Sequence, residues 1–285
     1  SVVVSGHARL GFPTHEGAYC RTEASIYNMA IIFSLDGNGS RLLFSTMFGG
    51  SSHEYANALA IDGEGNIIIA GDSNSIDLPT TNGAFCRTAE KTQHAFVAKF
   101  DSNVSKLVFS TYLGGYNSAR AQGLVLGRFG EIFVTGETSG HDFPLTQGDF
   151  SPSHYSDAYL LHMSSNGSRV LDSIPINGTR SENGYGVWYR PSDDTVYVAG
   201  HTYSDDFQTT RDAFDTTHSD SYDLYVRKYS DFQEPVVESD LTPSNATTGD
   251  PLTFGLHVSD NFKKPKVSEA LKGKPKSKDD QETMV

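Results

Sequence analysis

The sequence predicts an all-β protein with the architecture of a β-propeller, in which four-stranded antiparallel sheets of about 65 residues follow one another around an axis. Three observations predict this fold. Apolar runs that end in glycine recur at a fixed spacing, these runs alternate apolar and polar residues as strands do, and short segments rich in Gly, Asn and Asp separate them. About three and a half sheets are present, which favours an incomplete arc of a larger ring.

Three markers keep one order along the chain and carry the repeat. The first is an apolar run that ends in a glycine, with spacings of 65, 65 and 64 residues: Gly6, Gly71, Gly136 and Gly200. The second resembles FSTYLGG and occurs at 44–50, 109–115 and 172–178. The third resembles DLPTTNGAF and occurs at 11–19, 77–85, 142–150 and 206–214. One shared period indicates one supersecondary unit that is repeated.

Each complete unit contains four strand-like runs, which in the second unit are residues 58–62, 67–71, 95–100 and 107–113. A single sheet of this kind has two apolar faces, so neighbouring units have to cover each other. The first unit lacks its opening strand, and two complete units follow at about 56–113 and 122–175. The fourth unit would need 235–239 as its last strand. A linear solenoid and a closed ring of four sheets are the alternatives.

Residues 60–115 also carry a family resemblance. They contain AIDGEGNIIIAGDSNSIDLPTTNGAF, then HAFVAKF, and finally KLVFSTYLGG. This order is similar to the SBBP β-propeller repeat of bacterial and archaeal proteins, and the likeness covers roughly residues 1–230. It fades in the fourth unit, where Gln208 replaces a proline and Asp212 replaces a glycine. The resemblance implies a secreted or cell-surface propeller, commonly joined to Ig-like modules, and it implies no established enzymatic activity.

The chain divides into three parts by composition. Residues 1–232 hold the propeller repeats, 233–262 read as a linker and the start of a truncated Ig-like β module, and 263–285 form a Lys-rich tail. Because this tail is poor in apolar residues, we expect it to be disordered.

Charge and hydropathy exclude some functions. The net charge is −13, and a net anion is repelled by nucleic acid. The apolar runs are strand-sized, whereas a bilayer span needs ~20 residues, so we expect no membrane insertion. Cys20 and Cys86 occupy the same repeat position, and equivalent points on neighbouring sheets should be too far apart for a disulfide. We therefore expect two free, half-buried thiols.

In a propeller, alternate links between strands lie on one face, so the long links of this chain should gather there. Loops on a rigid scaffold are where function tends to lie. The candidate binding residues in and beside these links are His53, Glu54, Tyr55, Tyr116, Asn117, Arg120, Arg180, Glu182 and Asn183. The alternative is that they are solvated turn residues.

We expect no metal and no cofactor. Asp77, Asp142 and Asp206 recur before a proline or its equivalent, and carboxylates with loop carbonyls can bind calcium. An Asp at such a bend more commonly accepts backbone N–H bonds, which is the role we expect here. No pair of histidines has the spacing of a zinc site on a helix.

Five Asn-x-Ser/Thr sequons are candidate glycosylation sites: Asn38, Asn103, Asn166, Asn177 and Asn245. The first three recur in one inter-strand link, where Asn-Gly also favours a tight turn.

These features predict a non-catalytic, extracellular or cell-surface repeat protein that acts in adhesion, envelope structure or protein/carbohydrate binding. Its expected partners are surface polysaccharide or other envelope proteins. The alternative is an extracellular hydrolase or lyase on the same scaffold. A glycosidase of that kind would need two positioned carboxyl groups at a pocket, and the sequence names no such pair. A purely structural envelope component is a third possibility.

Overall fold

The computed structural model describes residues 1–9, 11–20, 26–90, 93–114, 117–140, 142–150, 155–218, 221–230 and 232. It also gives the backbone of three later strands at 236–239, 256–259 and 266–273. The regular elements of this described part are all β-strands. No helix in it is long and apolar enough to cross a bilayer.

The strands form consecutive antiparallel sheets. The first sheet has three strands: β1 (Val2–Ala8), β2 (Met29–Leu35) and β3 (Leu42–Phe48). The second has four: β4 (Glu54–Ile61), β5 (Ile67–Ser73), β6 (His94–Phe100) and β7 (Leu107–Leu113). The third also has four: β8 (Ala119–Leu126), β9 (Ile132–Thr138), β10 (Asp157–Met163) and β11 (Val170–Ile176). The fourth begins with three: β12 (Glu182–Arg190), β13 (Thr195–Thr202) and β14 (Asp223–Ser230).

The all-β, blade-like arrangement is confirmed, and the sheets do not close into a ring. The missing opening strand of the first sheet and the two complete sheets after it also agree with the prediction.

The end of the fourth sheet differs from the prediction. The segment predicted at 235–239 forms β15 (Val236–Ser239), but it pairs with β16 (Leu256–Ser259) in a separate two-stranded sheet. The strand beside β14 is β17 (Lys266–Gly273), which lies inside the Lys-rich tail expected to be disordered. Lysine is common on edge strands, where it discourages pairing with other chains, so Lys content is a poor argument against a strand at this position. The rest of the tail lies outside the described residues.

The strands of complete sheets are buried on both faces, which explains their continuous apolar runs. In β5, Ile68 faces the core shared with the third sheet, whereas Ile67 and Ile69 face the core shared with the first. A third core joins the third and fourth sheets, with Leu160 on one side and Val198 on the other. Each sheet therefore covers its neighbours, as a repeat of this kind requires.

The first strands of successive sheets contact one another in the order β1, β4, β8 and β12. Short hairpins lie at one edge of the sheets, and the tight turn Asp62–Asn66 is one of them. The other edge carries the described parts of the links between β3 and β4, β5 and β6, β7 and β8, β9 and β10, β11 and β12, and β13 and β14. We call this edge the long-loop face.

Candidate functional site

A buried carboxylate holds the link before the second sheet. Glu54 begins β4, and its side chain has no exposed surface. Oε1 accepts hydrogen bonds from the hydroxyls of Ser73, at 2.8 Å, and Ser75, while Oε2 accepts one from the N–H of Gly50 at 3.0 Å. Burial raises the pKa of Glu54, although these three hydrogen bonds act in the opposite direction. The network fixes the start of β4 to the loop that follows β5.

The fourth sheet repeats this network. Glu182 accepts hydrogen bonds from the hydroxyls of Thr202 and Ser204 and from the N–H of Gly178 at 2.8 Å. Burial likewise raises its pKa. The third sheet departs from the pattern, because Ala119 stands at the position of the glutamate. The buried glutamate is thus a feature of alternate sheets.

Two of the recurring aspartates, Asp77 and Asp206, form hydrogen bonds to the links before β4 and β12. Asp77 accepts hydrogen bonds from the N–H and the hydroxyl of Ser51 at 2.8 and 2.9 Å. Asp206 accepts the same pair from Thr179, both at 2.9 Å. The backbone hydrogen bond from Thr179 lowers the pKa of Asp206. For Asp77 and Asp206 the expected bonds to backbone N–H groups are therefore present, with Ser51 and Thr179 of the preceding links as donors.

His53 and Tyr55 belong to an aromatic group at the boundary of the first and second sheets. Their rings are stacked, with centroids 6.1 Å apart, and the ring of Tyr27 lies 4.8 Å from that of His53. His7 meets Tyr55 edge-on at 4.7 Å. The Asn28 side chain donates a hydrogen bond to the hydroxyl of Tyr55 at 3.0 Å, which fixes the ring.

Arg120 lies in a polar group between the second and third sheets. Its Nε donates to Gln93 at 2.7 Å, and one Nη lies 3.4 Å from the carboxylate of Glu137. Gln93 in turn donates to the buried carboxylate of Asp72 at 2.6 Å. Burial raises the pKa of Asp72, while Asn57 and Arg120 act to lower it. Two of the three guanidinium nitrogens of Arg120 thus have partners within the protein.

Four side chains of the fourth sheet form what we call the tyrosine cluster: Tyr185, His201, Tyr203 and Tyr222. The ring of His201 lies at its centre, 5.2 Å from Tyr185, 5.0 Å from Tyr203 and 5.8 Å from Tyr222. The tyrosines remain 51%, 39% and 52% exposed in chain order. Burial lowers the pKa of His201, so its imidazole favours the neutral form. The cluster is therefore an uncharged aromatic surface on the long-loop face.

A cavity of about 440 Å³ adjoins this cluster. Tyr155, Arg180, Ser181 and Tyr203 line it. Tyr155 is 56% exposed, and the guanidinium of Arg180 lies 3.4 Å from the carboxylate of Asp205, which balances its charge. The volume is within the range of small-molecule sites.

The other described candidates are not among the residues that line this cavity. Asn117 is exposed in the link before β8. Asn183 is half-buried beside His201, and its side-chain oxygen has no hydrogen-bond partner among the described residues. Tyr116 lies outside the described residues. Of the eight candidates that the structure describes, Arg180 lines the cavity and Asn183 adjoins the cluster.

Sequence reasoning missed the tyrosine cluster. Tyr185 lies within β12, where an irregularity between Gly184 and Gly186 leaves it outside the regular pairing. Tyr203 and Tyr222 lie at the two ends of one long link, more than fifteen residues apart in sequence. The pairing of β13 with β14 brings those ends together.

The two cysteines match the prediction. Cys20 and Cys86 are half-buried and form no disulfide.

Four of the five sequons lie in the described residues. Asn38, Asn103 and Asn166 lie exposed in equivalent short hairpins, whereas the Asn177 side chain donates to the carbonyl of Asp149 at 3.0 Å. Asn245 lies outside the described residues. Among the described residues, no group of three or more His, Cys, Asp or Glu side chains is placed to hold a metal ion.

No protein-family model matches this chain, and no curated protein matches it either.

Proposed function

We propose that this chain is a non-catalytic, extracellular or cell-surface β-propeller repeat protein that binds surface polysaccharide through the long-loop face. The tyrosine cluster is the observation that carries the proposal. Exposed aromatic groups of this density usually mark interaction sites, since a monomer gains nothing by leaving them in water. The SBBP-like repeat in the sequence supports the extracellular location.

The chemistry of the cluster favours a sugar. A tyrosine ring offers an apolar face with a polar hydroxyl at its edge, and a pyranose offers an apolar C–H face with hydroxyls around it. The cavity beside Tyr203 adds Ser181 and the Arg180 guanidinium as hydrogen-bonding groups. Because Asp205 balances Arg180 and the chain carries a charge of −13, an uncharged polysaccharide fits better than an acidic one.

An envelope protein is the second candidate partner, since tyrosine is also enriched in protein interfaces. A hydrolase or lyase has less support. Glu54 and Glu182 are fully buried, and each accepts three hydrogen bonds. Their carboxyl groups therefore stabilise the loops beside the first strands of the second and fourth sheets.

The test is isothermal titration of the chain with neutral and uronic-acid polysaccharides. We expect binding to a neutral polymer, weakened about tenfold or more by Tyr203→Ala or Tyr222→Ala, because central aromatic contacts dominate such interfaces. Trp188→Ala is the matched control, since Trp188 is 55% exposed and its ring lies 5.5 Å from that of Tyr197, outside the cluster. Equal loss in the control, or full binding by both tyrosine variants, would overturn the proposal.

A further inference from the structure

In the described part of the chain, the first sheet lacks the opening strand that β4, β8 and β12 provide in the other sheets, so the edge of β1 is open. β1 stands at the position of β5 in the second sheet, and Val2 corresponds to Ile67. Ile67 is 1% exposed beside β4, whereas Val2 is 55% exposed. Every residue of β5 is buried, and no residue of β1 is. The difference marks the place where an opening strand would pair.

β1 keeps a glycine that its present neighbours do not require. Gly71 in β5 has no room for a Cβ atom, because the carbonyl group of Tyr55 in β4 lies there. Gly136 and Gly200 are restricted in the same way by the opening strands β8 and β12. Gly6 occupies the same repeat position, yet the nearest described atom to an added Cβ is 4.0 Å away, and its φ is outside the left-handed region. An opening strand beside β1 would explain this glycine.

The edge of β1 is also regular, which suits further pairing. β1 pairs with β2 over all 7 of its residues without an irregularity. The opening strands of the other sheets each carry one: between Ala56 and Ala58, between Ala121 and Gly123, and between Gly184 and Gly186. Bulges are one of the usual ways in which proteins protect an edge strand from pairing with another chain. β1, with the sequence VVVSGHA, lacks this protection.

The opposite edge of the first sheet, β3, is covered by the chain itself. The hydroxyl of Ser45 donates to the carbonyl of Pro13 at 2.7 Å, and the hydroxyl of Thr46 accepts a hydrogen bond from the N–H of Cys20 at 3.1 Å. The described residues of the link between β1 and β2 therefore lie along β3. Covering an edge with a loop is a second form of protection. Of the two edges of this sheet, β1 is the one left for a partner.

We propose that β1 accepts an extended strand of a partner polypeptide, which pairs antiparallel to β1 and completes the first sheet. The added strand continues the line in which β4, β8 and β12 contact one another. When a strand is added to an exposed sheet edge, backbone hydrogen bonds supply the affinity and side-chain positions supply the specificity. This edge is independent of the tyrosine cluster, which belongs to the fourth sheet.

The opening strands of this chain define the chemistry of the partner. Each has a small residue on both sides of a single bulged residue, followed by an aliphatic one: Ala56-Asn57-Ala58-Leu59, Ala121-Gln122-Gly123-Leu124 and Gly184-Tyr185-Gly186-Val187. A Cβ atom on Gly123 would lie 3.0 Å from the carbonyl oxygen of Tyr185 in β12, so a large side chain does not fit where two opening strands approach each other. The partner should therefore have the pattern small–any–small–aliphatic.

The test is a titration of the whole chain with a labelled peptide that copies residues 52–63, followed by fluorescence anisotropy and ¹H–¹⁵N NMR. We expect saturable binding that shifts the amide signals of β1 and leaves those of β3 unchanged. An Ala58→Leu version of the peptide should bind about tenfold more weakly, because the larger side chain meets the backbone of β4. No saturable binding, equal affinity of the two peptides, or shifts at β3 in place of β1 would overturn the proposal.

Two glycine variants of the first sheet give the matched comparison. Gly6→Ala places a Cβ atom where the carbonyl of the added strand would lie, and we expect peptide binding to weaken about tenfold or more. Gly37→Ala adds the same atom in the hairpin between β2 and β3, where nothing described lies within 4 Å, and binding should stay at the wild-type level. We expect both variants to fold, since neither added atom meets a described neighbour closer than 4.0 Å.

Equal peptide binding by the Gly6→Ala and Gly37→Ala variants would contradict the proposal. Light scattering of the chain without peptide distinguishes a partner polypeptide from a second copy of this chain. We expect a monomer. A dimer that dissociates in the Gly6→Ala variant alone would overturn the proposal, because the strand beside β1 would then come from the second copy.

Discussion

The carbonyl oxygen of Tyr55 occupies the position where a Cβ atom on Gly71 would lie. The two residues are on neighbouring strands, beside the irregularity between Ala56 and Ala58 that turns this carbonyl toward β5. The same relationship joins Gly136 to Arg120 and Gly200 to Asn183. The glycine that marks the repeat in the sequence is therefore required by a close approach of two backbones.

This relationship predicts different effects for one substitution at equivalent positions. Gly71→Ala forces the two strands apart, and we expect a loss of about 3 kcal/mol in the free energy of unfolding. Gly6 faces no opening strand, and the nearest atom to its added Cβ is a side-chain carbon of Ile31 at 4.0 Å. Gly6→Ala should therefore change stability by less than about 1 kcal/mol. Urea denaturation of the two variants measures the difference, and similar losses would contradict the explanation.

The buried glutamates predict a pH dependence. Burial raises the folded-state pKa of Glu54 and Glu182 above the ordinary 4.5, so each protonated side chain contributes stability that is fully present below the unfolded-state pKa of 4.5. This contribution is lost as the pH rises through the folded-state values. Glu54→Gln keeps the shape and a carbonyl acceptor but cannot ionise, so its stability relative to wild type should improve as the pH rises through this window.

Glu54→Ala is the companion variant. It leaves the N–H of Gly50 and the hydroxyls of Ser73 and Ser75 without their acceptor, and we expect a loss of about 2–3 kcal/mol. Thermal unfolding between pH 4 and pH 8 follows both variants. A constant difference between Glu54→Gln and wild type over that range would refute the assigned titration.

The ion pair between Asp62 and Lys99 in the second sheet predicts the opposite pH dependence, a stability that falls as the pH is lowered. Burial alone would raise the pKa of Asp62, but hydrogen bonds from Lys99, Asn66 and Glu64 bring it down to about 2. Its contribution is present above the unfolded value of 3.8 and is lost as the pH falls toward about 2. Asp62→Asn should cost about 1 kcal/mol at neutral pH, since ion pairs near the surface contribute little. The deficit should shrink as the pH falls toward about 2, and a deficit of the same size at pH 5 and pH 2 would contradict the ion-pair explanation.

The repeat could be predicted from sequence because its signals are local. The spacing of Gly71 and Gly136, the alternation in the strands and the hairpin turns each depend on a few neighbouring residues, and all survive in the structure. The last strand of the fourth sheet could not be predicted in the same way. Its partner β14 is more than thirty residues earlier, and local composition does not specify a pairing over that distance.

In the candidate site, too, the residues with a local sequence signal could be predicted, and those that depend on strand pairing could not. His53 and Arg180 were found because they lie in links whose length is visible in the sequence. Sequence position did not reveal that Glu54 is buried, because the acceptor role depends on Ser73 and Ser75 in a neighbouring strand and its loop. The tyrosine cluster likewise depends on strand pairing rather than on a motif.

We propose that the long-loop face of the fourth sheet binds polysaccharide. The most direct measurement is a titration of chain labelled at tyrosine and histidine rings with a neutral polysaccharide, followed by NMR. We predict saturable shifts at Tyr185, His201, Tyr203 and Tyr222, with Tyr189 and Tyr197 unchanged. Binding that shifts the last two signals and leaves the cluster unperturbed would contradict the claim, as would the absence of saturable shifts with every neutral polymer tested.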